Sequence, residues 1–359
     1  METFYERKIY NRYFEYVGNM HIHSTYSDGT KSIEDIARIA QKSGLDFICF
    51  NDHNTLEGLH DRKEDWYEEV LVLIGTEVNK RYNHYLAYDV YEVIPESDIN
   101  PQQVIDEVNR QGGFGFIAHP FEKGSPLIDG GHGFTWNDWT VDGYVGMSIW
   151  DYSSDWKGKA QSILSALYYY YNPGDAIRYP NHRTLEKWDE ESMKRKIVAI
   201  GDSDAHDYTF KRGPFSWIIF PYRFLFKAIN THILLTSPLT GNFKDDKLLV
   251  YSALKRGNCF VSNDRLGDSR GFRFFTRRRE KEAIMGEEVE LRRGMVLNIE
   301  SPKKAIIRLM RNGKRVKSKV DRVLRYEVSD KGVYRVELLR PGFFKKEAAW
   351  VFSNPIYVR

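Results

Sequence analysis

Histidines and carboxylates recur at the ends of short apolar runs in this 359-residue chain. The first case is His21-Ile22-His23, where a strand would place both imidazoles on one face, because side chains in a strand repeat every second residue. Two imidazoles on one face can reach the same metal ion. The further candidates are single residues in later segments, namely Asp28, His53, Glu77, His119, Asp204 and His206. This combination predicts a metalloenzyme whose site is gathered from distant parts of the chain.

The elements that must position these residues are short apolar strands alternating with amphipathic helices. Helices are predicted at 32–43, with Ser32 as N-cap and Gly44 as stop, and at 101–111. Strands are predicted at 16–23, 45–50, 70–74, 114–118, 144–150 and 197–200. Repetition of strand, loop and helix predicts a parallel α/β sheet or its closed barrel form, in which functional residues lie where the strands end.

The pattern changes toward the C-terminus. Helical periodicity stops near Gly271, and short alternating strands follow, such as 305–310 and 332–338. The strand at 305–310 is followed by a predicted turn at Asn312-Gly313. We therefore predict a catalytic domain at 1–268 and an all-β, sandwich-like domain at 269–359. Within the first, residues 151–195 are rich in Tyr and Trp and are interpreted as an insertion or cap, whose aromatic side chains either line a substrate pocket or pack onto the barrel.

Charge and composition limit the class of protein. Residues 271–359 carry 23 Lys and Arg against 11 Asp and Glu, whereas the preceding residues carry 30 against 39. A basic domain could attract nucleic acid, but solvated lysines and arginines on strand faces are the favoured interpretation. No run approaches the roughly 20 apolar residues that span a bilayer, and the start has no apolar signal core. We expect a cytoplasmic protein without membrane attachment, in which Cys49 is a buried thiol.

The segments around the candidate ligands resemble those of the PHP (polymerase and histidinol phosphatase) superfamily. The matching segments are 18–30, 51–55, 75–78, 118–120 and 203–206, in the order expected of that family. The resemblance implies a distorted (β/α)7 barrel with two or three divalent ions at its C-terminal mouth, so that the domain at 1–268 would be a PHP metallohydrolase domain. Segments 253–262, 332–337 and 350–358 are further similar to the carbaryl-hydrolase-like (CehA/McbA) branch, in which a β domain follows the barrel.

The resemblance also implies three groups of metal ligands. His21, His23, Glu77 and Asp204 would hold one ion, and Glu77 would bridge to a second ion held by His119 and His84. Asp28, His53 and His206 would hold a third. Asp52 would orient an imidazole rather than bind metal. The expected catalytic residues within this set are Glu77, His119, Asp204 and His206.

Two segments depart from the family pattern. Ser148-Ile149-Trp150-Asp151 stands where many relatives carry Glu-x-x-Asn, so that a carboxylate is expected to be missing from the pocket wall, and Asp202 stands where glycine is common. Four basic residues lie in loops near the motifs and could bind a phosphate: Lys123, His132, Arg183 and Arg212. For each of them alone, a solvated surface position is the favoured interpretation. The histidines that fit no motif are interpreted as structural: His60, His182 and His232.

The chemistry expected from such ions is hydrolysis. Two divalent metals can share a hydroxide that attacks phosphorus or a carbonyl carbon, and manganese, iron and zinc all suit mixed histidine and carboxylate ligands. The favoured function is a phosphoesterase acting on a small phosphate ester or nucleotide. Alternatives are a carbamate or amide hydrolase, a nuclease, and a non-catalytic metal-binding module. The sequence does not indicate an oligomeric state.

Overall fold

A computed structural model describes residues 9–10, 13–212, 215–278, 281–341 and 347–359. The chain folds into two compact units. One, here called the site unit, comprises Val17–Asn181 and Gly201–Asn230. The other, the β-rich unit, comprises the described residues up to Tyr16, His182–Ile200 and the described residues from Thr231 onward. These two units do not coincide with the two domains expected at 1–268 and 269–359. The domain boundary between residues 268 and 269 stays a prediction.

The helices of the described residues are mostly short. They are α1 Ile33–Ser43, α2 Glu57–His60, α3 Pro101–Arg110, α4 Tyr152–Lys159, α5 Ile163–Tyr171, α6 Pro173–Ala176, α7 His182–Lys194, α8 Tyr222–Leu225 and α9 Phe243–Arg256. Helix α1 confirms the predicted caps, because the Ser32 side chain accepts a hydrogen bond from the Asp35 amide and Gly44 adopts φ 83°. No helix in the described part of the chain is long and apolar enough to cross a membrane.

The strands of the first half are β1 Ile9–Tyr10, β2 Tyr13–Ile22, β3 Phe47–Phe50, β4 Asp65–Tyr67, β5 Val70–Ile74, β6 Thr76–Val78, β7 Tyr85–Tyr88, β8 Phe114–Ile117 and β9 Gly146–Asp151. Those of the second half are β10 Val198–Asp202, β11 Tyr208–Arg212, β12 Phe215–Ile219, β13 Ile229–Leu235, β14 Cys259–Asn263, β15 Arg273–Arg278, β16 Lys281–Ile284, β17 Glu288–Val289, β18 Val296–Arg311, β19 Lys314–Glu327, β20 Gly332–Arg340, β21 Ala348–Ser353 and β22 Ile356–Val358. All six strands predicted in the first 200 residues are present, with ends shifted by a few residues.

The site unit has a mixed sheet arrangement. β2, β3 and β5 pair in parallel, as do β8 and β9. The expectation of a wholly parallel sheet is wrong, because β4 pairs antiparallel with β5, and β7 pairs antiparallel with both β6 and β8. The loop 79–84 between β6 and β7 is too short for the crossover that a parallel pair requires. The mixed α/β class is confirmed, and closure into a seven-stranded barrel stays a prediction.

The β-rich unit contains a long antiparallel meander. β18 pairs with β19 through the predicted turn, in which Asn312 and Gly313 have φ values of 51° and 75°. β20 pairs with β18, and β21 pairs with β20, all antiparallel. Large side chains such as Tyr334, Trp350 and Phe274 fill its apolar core. These strands agree with the all-β pattern expected after Gly271, and their description as a sandwich stays a prediction. Cys49 and Cys259 are both buried thiols.

A buried polar cluster in the β-rich unit surrounds His232. His232 Nδ1 lies 2.9 Å from Glu15 Oε1, and its Nε2 lies 3.2 Å from the carboxylate of Asp264. Glu15 also accepts hydrogen bonds from the Arg273 guanidinium and the Gly271 amide. Burial alone would lower the pKa of His232, but the charges and hydrogen bonds of Asp264 and Glu15 raise it to about 9. This histidine is therefore a structural cation, as expected from its absence from any motif.

The raised pKa of His232 predicts a pH dependence of stability. Its ordinary pKa is about 6.5, so its charged contacts stabilise the fold fully below that pH and lose their effect as the pH rises toward 9. We expect the free energy of unfolding of wild type to fall toward that of His232→Gln by about 3 kcal/mol over this interval. Urea denaturation at several pH values measures it. The exposed His60→Gln serves as control, and a pH-independent difference for His232→Gln would contradict the assignment.

Candidate metal centre

A buried carboxylate lies at the centre of the site unit. Glu77 on β6 is 1% exposed, and both of its oxygens contact imidazoles. Its Oε2 lies 3.0 Å from His21 Nε2 and 3.3 Å from His53 Nδ1. Its Oε1 lies 2.7 Å from His84 Nδ1 and 3.1 Å from His119 Nε2. One glutamate thus joins ligand candidates that follow or end several different strands, as expected for a bridging ligand.

The first group of potential ligands is formed by His21, His23, Glu77 and Asp204, all buried. The Nε2 atoms of His21 and His23 face each other at 3.0 Å, and Asp204 Oδ1 lies 3.5 Å and 3.3 Å from them. Two imidazole nitrogens and two carboxylates at these distances suit a shared cation, because both are common ligands of divalent metal ions. The four residues are the set that the family resemblance implied for one ion.

Two further groups share residues with the first. Asp28 Oδ1 lies 3.2 Å from His206 Nε2 and 3.6 Å from His23 Nδ1, and its Oδ2 lies 3.8 Å from His53 Nε2. His53 and Glu77 also form a group with His84. The implied third ion therefore has a fourth potential ligand in His23. His119 reaches this second region through its contact with Glu77. All nine predicted ligands, His84 included, lie in one connected cluster.

The atoms of the cluster fit metal ions better than hydrogen bonding alone. His84 Nε2 is buried and has no hydrogen-bond partner among the described residues, although buried polar atoms nearly always have one. Within each group the potential ligand atoms lie within 4.8 Å of one another. Imidazole nitrogens with carboxylate oxygens are ligands that manganese, iron and zinc accept. These observations support a metal site without fixing the number of ions or their identity.

The electrostatics of the cluster favour bound cations. Burial would raise the pKa of Glu77, but the surrounding imidazoles hold it well below its usual range. Burial raises and His206 lowers the pKa of Asp28, with a net decrease. Burial and the neighbouring His23 lower the pKa of His53 to about 3, which keeps that imidazole neutral. Burial lowers the pKa of His119 and of His23, but Glu77 raises that of His119 to about 10, and Asp204 and Glu77 raise that of His23. A bound metal ion would displace the protons that these two imidazoles otherwise share with the carboxylates.

Two potential ligands have an unusual backbone conformation. His119 follows β8 with φ 26°, and Asp204 follows β10 with φ 47°. Positive φ is uncommon for residues other than glycine and costs free energy, so it persists where the surroundings enforce it. Such residues concentrate at functional sites. The strain at both positions indicates that the fold holds these two side chains toward the cluster.

Asp52 contacts the serines that follow His23. It accepts hydrogen bonds from the Ser24 amide and hydroxyl, each at 2.7 Å, and from the Ser27 hydroxyl at 2.7 Å. Ser27 Oγ lies 3.5 Å from His23 Nδ1, and the expectation that Asp52 orients an imidazole stays a prediction. Asp52 fixes the turn that follows His23 and leads to Asp28. Gly29 closes this turn, and any Cβ there would lie 2.2 Å from the His23 carbonyl oxygen.

Sequence reasoning missed two carboxylates behind His21. Asp151 Oδ2 lies 3.8 Å from His21 Nδ1, and Asp151, Asp202 and His21 form a fourth compact group. Burial raises the pKa of Asp202 to about 6, and burial together with the charges of Asp202 and Asp204 raises the pKa of Asp151. The two departures from the family pattern therefore lie side by side behind His21.

Sequence reasoning also missed Lys157. This lysine on α4 is 5% exposed, and its Nζ lies 3.8 Å from Asp204 Oδ2 and 3.7 Å from Glu122 Oε1. A lone lysine in a helix has no spacing that could have marked it. Of the four basic residues suggested instead, Lys123 and Arg183 are exposed, His132 lies 2.8 Å from the Arg81 carbonyl oxygen, and the side chain of Arg212 lies outside the described residues.

A cavity of about 260 Å³ opens over the cluster. Potential ligands line it, among them Asp28, Glu77 and His119, and Lys157 and Tyr208 complete its wall. Its size suits a small anionic group placed beside metal ions. The arrangement can therefore bind cations and a substrate at the same place.

Comparison with known families agrees with the motifs. Residues 19–132 match the PHP domain, a range that includes seven of the nine potential ligands and excludes Asp204 and His206. This part of the chain therefore matches the PHP domain, and the resemblance predicted from the motifs is confirmed at this level. Assignment to the carbaryl-hydrolase-like branch stays a prediction.

The chain is also similar to individual proteins. It is 27% identical over 115 residues to the uncharacterized protein MJ1587 of Methanocaldococcus jannaschii, which is 29% of this chain and 67% of that protein. A two-domain structure from Bacteroides vulgatus, described as containing a predicted PHP-like metal-dependent phosphoesterase, aligns over 96% of both chains with 13% identity and a TM-score of 0.45. A candidate metal-dependent phosphoesterase from Bifidobacterium adolescentis covers 56% of this chain and 90% of its own, with 16% identity and a TM-score of 0.34. Both TM-scores lie below 0.5.

The position of Glu77 predicts the result of its substitution. Glu77→Gln removes one negative charge and replaces one carboxylate oxygen with an NH2 group. We therefore expect the purified full-chain variant to bind less metal than wild type, by at least one equivalent. Elemental analysis after loading with manganese or zinc and gel filtration measures this content. The exposed Glu57→Gln should bind as wild type does. Equal metal content in wild type and Glu77→Gln would show that Glu77 is not a ligand.

Proposed function

We propose that this protein is a metal-dependent hydrolase, specifically a phosphoesterase that acts on a small phosphate ester. The observation that carries the proposal is the cluster of nine potential ligands, with Glu77 at its centre, beneath one cavity. The PHP domain over residues 19–132 supports it. Loss of several ligands would be expected in a binding module with a decayed site, and the described residues keep all nine.

The attacking group is water rather than a side chain. Ser203, next to Asp204, is fully buried and donates its hydroxyl proton to Asn19 Oδ1 at 3.0 Å. Cys49 and Cys259 are buried and line neither the cavity nor the cluster. His21, His23, Glu77 and Asp204 would hold one ion, and the remaining ligands would hold the others. When bound, divalent ions activate water and neutralise charge on phosphoryl oxygens.

Lys157 would bind the substrate. Glu122, which accepts a hydrogen bond from Ser154, and Asp204 both lie within 4 Å of its Nζ and hold the ammonium group at the cavity wall. Phe134 packs beneath it, with Nζ 5.6 Å from the ring centre. An ammonium fixed in this way can donate a hydrogen bond to a phosphoryl oxygen as negative charge develops there. Hydrolysis then converts the ester and one water into an alcohol and inorganic phosphate.

The proposed reaction predicts phosphatase activity that depends on metal and on Glu77. We expect the full chain, loaded in turn with manganese, zinc or iron, to hydrolyse p-nitrophenyl phosphate, and chelation or Glu77→Gln to abolish measurable turnover. Release of p-nitrophenol is the readout, and Glu57→Gln is the control. If the loaded protein instead cleaves p-nitrophenyl carbamates or esters of carboxylic acids, the phosphoester assignment fails and the hydrolase assignment stands. Bound metal with no hydrolysis of any of these substrates would favour a binding module.

The role of Lys157 predicts a second kinetic result. Lys157→Gln removes the charge but keeps a donor, and we expect kcat/KM to fall about 100-fold while metal content stays as in wild type. Lys159→Gln changes an exposed lysine on the same helix and should leave the rate unchanged. Steady-state kinetics with parallel metal analysis and thermal unfolding distinguish the two variants. A loss of metal equal to the loss of rate would assign Lys157 a structural role instead.

A further inference from the structure

A second cavity lies next to the one over the metal-ligand cluster. Its volume is about 180 Å³, and Lys157, His206 and Tyr208 line both cavities. The rest of its wall is mainly apolar, formed by Leu127, Ile128, Trp156, Ile219, Phe220 and Leu225. We call this second cavity the apolar chamber. Nothing in the hydrolytic chemistry described above uses it.

The walls of the apolar chamber are packed aromatic side chains. Trp156 directly precedes Lys157 on α4, and its ring meets Phe220 edge to face with centroids 5.0 Å apart. Both are buried, at 5% and 7% exposed. Phe220 has φ 54°, and Tyr152 and Phe224 pack around its ring. A cavity fixed by interlocked rings keeps its shape without a ligand, which reduces the entropy lost when a ligand binds.

The polar residues of the apolar chamber are largely committed to contacts within the protein. Ser153 donates its hydroxyl proton to the Ser203 and Asp204 carbonyl oxygens. Asp207 is paired with Lys31 at 2.8 Å. The chamber therefore offers mainly apolar surface to a ligand. An apolar cavity of about 150 Å³ can hold a benzene ring, so a volume of about 180 Å³ suits one ring or an aliphatic group of similar size.

We propose that the apolar chamber binds the leaving group of the substrate, and that the substrate is a phosphate monoester of an alcohol or phenol carrying a single apolar ring. This inference rests on the proposed function. The phosphoryl group lies in the cavity over the metal ligands, and Lys157 marks the border between the charged and the apolar half. His206 and Tyr208, whose rings stack with centroids 4.7 Å apart, form the other side of that border. A polar leaving group such as glycerol gains little from this surface.

Phosphonates test the chamber by binding alone, which removes differences in leaving-group reactivity. We expect the manganese-loaded full chain to bind benzylphosphonate about 30-fold more tightly than methylphosphonate, because apolar groups in such pockets typically contribute factors of about 10 to 200. Leu127 is 43% exposed at the chamber, so Leu127→Trp can fill the chamber without disturbing the core. In that variant the preference should shrink to about threefold or less, with methylphosphonate affinity unchanged. Isothermal titration calorimetry measures both constants.

The control is Leu248→Trp, which changes an exposed leucine on α9 and should keep the wild-type preference. If Leu127→Trp also weakens the binding of methylphosphonate, a second variant is needed. Ile219→Trp fills the chamber from a different segment, and its ratio of benzylphosphonate to methylphosphonate affinity then tests the inference. Equal affinity of wild type for the two phosphonates, or a full benzyl preference in both filled variants, would overturn the inference. Phosphatase activity together with equal affinities for the two phosphonates would reject the role of the chamber but leave the phosphoesterase assignment standing. A benzyl preference without phosphatase activity rejects the phosphoesterase reaction and leaves the chamber assigned to a ring.

Discussion

The burial of the Glu77 carboxylate is the constraint on which the site unit depends. A charged carboxylate removed from water is costly unless partners compensate it. Here imidazoles from β2, from the loops after β3 and β8, and from the residue before β7 surround it, at distances between 2.7 Å and 3.3 Å. Both oxygens take part in these contacts, so Glu77 links four histidines that come from distant parts of the sequence.

Short connections make this positioning possible. The turn after His23 is fixed by the Asp52 carboxylate and by the close approach at Gly29, so that Asp28 returns to within 3.6 Å of the imidazole it follows. His119 and Asp204 reach the cluster through strained backbone conformations. The free energy stored there has to be supplied by packing of buried strands such as β5 and β8, every residue of which is buried. Sheet stability and ligand geometry are therefore linked.

The sequence predicted what depends on local pattern and left out what depends on tertiary contact. Strand ends carrying histidine and carboxylate identified eight members of the cluster, and the family resemblance added His84. Strand β7 was not predicted, and with it the antiparallel pairs that it forms with β6 and β8 were missed, because a run of four buried residues does not indicate strand direction. Lys157 and the Asp151 and Asp202 pair were missed, since their significance comes from neighbours distant in sequence. The apolar chamber combines segments from Leu127 to Leu225 and has no sequence signature.

The charges around the cavity explain how one site can serve both cations and an anion. In the described structure the carboxylates of Asp28, Glu77, Glu122 and Asp204 outnumber the single nearby ammonium of Lys157, so the field attracts divalent cations. Bound divalent ions would be the largest charges present and would reverse the sign of that field. Lys157 then adds to the positive potential rather than opposing it. On the proposed function, an anionic ester would be attracted only after metal has bound, while the apolar chamber would contact the part of the ester that carries no charge.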